Sequence, residues 1–132
     1  MPAKRVKKKE KSQALAPRGA FASLRVSQGF REYVIDQLSG VADLHAKAMF
    51  GGIGLYAGDV FFGILAADVL YLKVGDSNRA DYKRAGAAPF APFAHRPASK
   101  SYFSVPAGVL EDTRTLAQWV RRSIAVARNA RS

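Results

Sequence analysis

The chain has no cysteine in 132 residues, so it can form no disulfide, no thiolate zinc site and no cysteine nucleophile. Histidine is nearly as scarce, with only His45 and His95, and neither has a second histidine at metal-ligand spacing. Ordinary surface or core histidines are the expectation for both, and the same scarcity argues against catalysis. No serine lies in a nucleophile elbow. A membrane span is also missing: a spanning helix needs about 20 apolar residues, and the longest apolar stretch, from Val60 to Ala67, is strand-sized. No apolar stretch of secretory length follows the charged start, which predicts a cytoplasmic protein.

What the chain does have is positive charge. Its formal net charge is +11, from 21 basic and 10 acidic residues. Seven basic residues, Lys4, Arg5, Lys7, Lys8, Lys9, Lys11 and Arg18, face one acid, Glu10, in the first twenty. With few large apolar groups and mutual repulsion, residues 1–20 are predicted to be a disordered basic tail. Lys4, Arg5, Lys7, Lys8, Lys9 and Lys11 would contact nucleic-acid backbone without reading sequence; the competing reading is a merely solubilising tail. The remainder, residues 21–132, is apolar enough for one folded domain.

Within it, Ser27 is a good N-cap, and Phe30, Tyr33, Val34, Leu38 and Val41 recur at helical spacing. A helix from Gln28 to Ser39 follows, stopped by Gly40. From His45 to Lys73 the pattern becomes extended. Segments 45–50, 53–57, 60–66 and 69–73 are divided by Gly51-Gly52, Gly58-Asp59 and Ala67-Asp68. Such two-residue breaks suit hairpins and forbid parallel crossovers, so the segments form an antiparallel meander with 60–66 central. The glycines are a weak phosphate-loop signal, because strand rather than helix follows them.

Asp76 is expected to cap a second short helix, 77–85, closed by Gly86. Prolines 89, 92 and 97 then flank an edge hairpin containing Phe90, Phe93, Tyr102 and Phe103, and Pro106 ends its last strand. The final helix starts at Asp112 or Thr113 and runs to Ala130. Leu116, Trp119, Val120, Ile124 and Ala127 line its inner side, and Arg114, Arg121 and Arg128 its outer one. The predicted class is α+β in two layers: an antiparallel sheet of about five strands, a meander between an N-terminal helix and later helices.

Three motifs add a resemblance. Met49-Phe50-Gly51-Gly52-Ile53-Gly54-Leu55-Tyr56, then Leu70-Tyr71-Leu72-Lys73-Val74, then Ser101-Tyr102-Phe103-Ser104-Val105-Pro106 resemble the TfoX/Sxy family's N-terminal domain, from about Gly29 to Ala127. The resemblance implies the same two-layer fold and carries no catalytic residue, metal or cofactor. Longer family members are linked to DNA-uptake competence and act with a cyclic-AMP-responsive activator. They also carry a helical C-terminal domain, which this chain, stopping at Ser132, is expected to lack.

The motif residues have structural explanations: Gly51, Gly52 and Gly54 meet backbone demands, Phe50, Tyr56 and Tyr71 fill the core, and Pro106 ends a strand. Lys73 and Tyr102 are singled out because adjacent strands would place them on one exposed surface. The expected function is a non-enzymatic accessory or regulatory protein, a transcription or competence co-regulator with a protein partner such as a transcription factor and non-specific DNA contacts. The alternative is a protein-interaction or chaperone-like module without a nucleic-acid role; either could be a homodimer.

Overall fold

In a computed structural model of the chain, residues 23–93 and 95–130 are described. The basic tail therefore lies outside the described residues. Helix α1, Gln28–Gln37, opens where the Ser27 hydroxyl accepts the Phe30 amide at 3.2 Å. The Ser27 amide in turn donates to Asp68 at 2.7 Å, tying the helix start to a sheet turn. Its end differs from expectation: α1 closes at Leu38 through backbone bonds, and Gly40 is not in the left-handed conformation. Val34 and Leu38 are buried, but Tyr33 is 41% exposed and leaves the expected stripe.

Five strands follow: β1 Leu44–Met49, β2 Gly52–Ala57, β3 Val60–Ala66, β4 Val69–Lys73 and β5 Tyr102–Ser104. They pair antiparallel in the order β1-β2-β3-β4-β5, which puts β3 at the centre. The first break falls one residue earlier than predicted. Phe50 (φ 52°) and Gly51 (φ 88°) make the turn, while Gly52 is already in β2. Two successive positive φ values match the twist of a two-residue hairpin, and Ala67 and Asp68 repeat the pattern between β3 and β4.

Helix α2 is shorter than expected, Arg79–Arg84. Asn78 rather than Asp76 organises its start, because the Asn78 side chain accepts the Gly75 amide at 2.8 Å and donates to the Lys73 carbonyl at 3.1 Å. Gly86 closes the turn with φ 69°. The expected edge hairpin has one regular strand, β5, plus an isolated bridge from Pro89 to Phe103. Proline cannot extend a ladder, which limits this edge. A short helix not foreseen from the sequence, α3 Ala107–Leu110, begins at Pro106.

Helix α4, Thr113–Ala130, packs on β3 and β4. Asp112 caps it: the Thr115 backbone amide and hydroxyl, then the Arg114 amide, hold its carboxyl below the ordinary aspartate range. Leu116, Val120 and Ala127 are buried along its inner side, Trp119 and Ile124 partly so. They meet Val34, Leu38, Ile53, Leu55, Phe62, Leu65, Leu70 and Leu72 in one core between helices and sheet. Each large side chain buried there contributes roughly 1.5–3 kcal/mol.

Candidate functional site

The sheet has two unlike faces, because strand side chains alternate. Leu44, Ala46, Ile53, Leu55, Leu65, Leu70, Leu72 and Phe103 point into the helical core. The intervening residues, Lys47, Met49, Gly54, Tyr56, Ile64, Tyr71, Lys73 and Tyr102, therefore face the other way. An irregularity in β2–β3 refines the pattern. Leu55 pairs with Gly63 but Tyr56 pairs with Phe61, so Phe62 is an extra residue on β3. This bulge lets Phe62 join Leu65 in the core while Phe61 turns to the opposite face.

On that face the aromatic rings touch in sequence. The Tyr56 and Phe61 centroids are 5.2 Å apart, and the Phe61 and Tyr102 centroids 5.7 Å apart, both tilted. An ammonium stands at each end: Lys47 Nζ is 5.1 Å from the Tyr56 ring and Lys73 Nζ is 5.2 Å from the Tyr102 ring. Tyr56, Phe61, Lys73 and Tyr102 are half-buried and Lys47 is exposed. Gly54 makes room, since a Cβ there would lie 3.1 Å from the Phe61 ring and 3.4 Å from both Met49 Sδ and the Tyr56 ring. The Tyr71 ring leans on Phe90, 4.9 Å between centroids, and closes the row toward the proline-rich loop.

Backbone bonds fix the Lys73 end. The Lys73 carbonyl accepts from Asn78 and, at 2.8 Å, from the Ser123 hydroxyl of α4, while the Val74 amide donates to Ser101 at 2.7 Å. Lys73 and Tyr102 are register partners, so the two positions singled out from the sequence do meet on one surface. Burial, and secondarily Tyr56, pushes the Tyr102 phenol up to about 12, and burial also raises Tyr71. No Asp or Glu occurs in any of the five strands, so Lys47 and Lys73 are the fixed charges that the strands themselves place on this face. At its margin His45 meets Asp43 at 3.1 Å, with side chains 53% and 68% exposed. That pair stands on open surface, not in a closed pocket, and His95 is exposed in its loop.

Three motif residues depart from their expected places. Phe50, expected in the core, is 84% exposed, because the hairpin puts it at the tip of the β1–β2 turn. Tyr56 and Tyr71 lie on the helix-free face, outside the helical core. Met49 is half-buried beside Gly54, and Pro106 precedes α3. Gly52 has a steric reason: a Cβ would come within 2.6 Å of the Leu65 carbonyl. The sequence reading missed Lys47 and the outward turn of Phe61. Lys47 was legible in the alternation of β1, but Phe61 depends on the bulge, which no residue type announces.

Among the described residues no group of three or more His, Asp or Glu could hold a metal ion, and no helix is long and apolar enough to cross a membrane. The chain is thus a two-layer α+β domain with a half-buried aromatic row and two lysines on the sheet face that its helices leave uncovered. Its family is defined by the sequence: the model of the TfoX N-terminal domain matches residues 36–127, and the chain belongs to that family. No curated protein matches it.

Proposed function

We propose that this domain is a non-enzymatic regulatory module, a transcription or competence co-regulator, that works by recognition through the helix-free face of its sheet. Membership of the TfoX N-terminal domain family supports the regulatory part of this reading. The observation that carries the rest is the run Lys47, Tyr56, Phe61, Tyr102, Lys73 on strands without a single carboxylate. Half-buried rings and ammonium groups on a sheet face that no helix covers favour binding over stability, because packing alone would have called for aliphatic residues covered by helices. Lys4, Arg5, Lys7, Lys8, Lys9 and Lys11 would add non-specific attraction to nucleic-acid backbone.

The test is genetic complementation read by transcript profiling. Cells lacking the protein receive the wild-type chain, the double variant Lys47→Glu/Lys73→Glu, or Arg114→Glu/Arg121→Glu on the outer side of α4. The reading expects the first pair to lose the wild-type profile and the second to keep it. Loss with the α4 pair and retention with the sheet pair would overturn it.

A further inference from the structure

We infer that the ligand of this face is single-stranded nucleic acid, its bases stacking on Tyr56, Phe61 and Tyr102 and its phosphates drawn to Lys47 and Lys73. The inference rests on the reading of this face as the recognition surface and names what it recognises.

Three features converge. The rings form a continuous run with centroid steps of 5.2 and 5.7 Å, so a stacked base on one ring has its neighbour's platform beside it. A sheet that presents adjacent aromatic rings can stack two or three splayed bases, which only an unpaired strand offers. The ammonium groups flank the run on both sides and sit within about one nucleotide of the outer rings. Moving them from ring to phosphate sacrifices only a partly solvated cation–π contact. Finally, the strands carry no acid to repel a polyanion, and the chain as a whole is +11.

Double-stranded DNA fits less well. Its base faces are hidden in the stack, so a duplex would meet the lysines but not the rings. An acidic peptide could use the lysines equally, but three contiguous rings give it no matching partner of its own. The ring platform is what decides for nucleobases.

The experiment is fluorescence anisotropy on the full chain with a labelled single-stranded oligonucleotide of mixed sequence, its duplex, and an acidic peptide, each at several salt concentrations. The wild type is expected to bind the single strand at least tenfold more tightly than the duplex. Phe61→Leu and Tyr56→Leu, which keep an apolar side chain but remove the ring, should each weaken single-strand binding about tenfold, in line with the usual contribution of base stacking. They should leave duplex binding unchanged. Lys47→Glu/Lys73→Glu should weaken single-strand binding and flatten its salt dependence. Circular dichroism checks that each variant is folded, and the lysine pair serves if a ring variant is not.

Equal binding of single strand and duplex, with ring variants indistinguishable from wild type, would overturn the inference, as would tighter binding of the peptide than of the oligonucleotide. If these results came with loss of regulation by Lys47→Glu/Lys73→Glu in cells, the recognition face would stand and only its ligand would fall.

Discussion

Phe50 stands at the tip of the β1–β2 hairpin with a left-handed backbone and 84% of its surface exposed, while Gly54, four residues on, is buried beneath the Tyr56 and Phe61 rings. The large side chain is thus outside and the bare backbone inside. A bulky residue with positive φ stores strain of roughly 1–2 kcal/mol.

Replacing Phe50 with Gly, which adopts this conformation freely, is therefore expected to stabilise the domain by about 1 kcal/mol. Urea unfolding followed by circular dichroism measures it. A loss of stability would mean that the Phe50 ring makes contacts outweighing its backbone strain.

Glycines separate cleanly by what surrounds them. Gly52→Ala drives a Cβ to 2.6 Å from the Leu65 carbonyl, a backbone atom of the central strand, and should cost about 2–3 kcal/mol or prevent folding. Gly29→Ala in α1 meets nothing within 4 Å and should add up to about 1 kcal/mol. The two midpoints in urea should move in opposite directions.

Tyr82 packs edge-on against Trp119, centroids 4.6 Å apart, and its buried hydroxyl has no well-formed hydrogen bond: only the Ser123 hydroxyl lies beside it, and that group donates to the Lys73 carbonyl. Tyr82→Phe keeps the ring and removes a buried, poorly satisfied hydroxyl. Stability should rise by about 1 kcal/mol, and a fall of that size would reveal a bond from this hydroxyl.

Alkaline pH should unfold the domain. Burial raises the Tyr82 and Tyr102 phenols to about 12, above the ordinary 10.0, so the folded state holds their protons more tightly than the unfolded state. The resulting stability is fully present below pH 10 and is lost as pH rises toward 12. Phenolate absorbance and circular dichroism, followed together, should change in that window. In Tyr82→Phe the loss should be smaller.

Helices α1 and α4 and the meander were legible because their signals are local. Ser27 and Asp112 cap, hydrophobic residues recur at helical spacing in α1 and α4, and two-residue breaks divide the strands. What the sequence hid depends on pairing. Phe50 reads as a core residue until the turn is placed one position earlier, and Phe61 reads as one until the bulge reverses its direction. Tyr56 and Tyr71 look like core aromatics in any count of residue types; only the register shows that the helices cover the opposite face. Lys73 and Tyr102 were legible as neighbours because both end short strands joined through one edge.

The measurement that bears most directly on the recognition face is an amide NMR titration of the full chain with a single-stranded oligonucleotide. Shifts concentrated on Lys47, Tyr56, Phe61, Lys73 and Tyr102, with the outer side of α4 unmoved, are the predicted result. Shifts confined to α4 around Arg114, Arg121 and Arg128, with the five sheet positions silent, would contradict it.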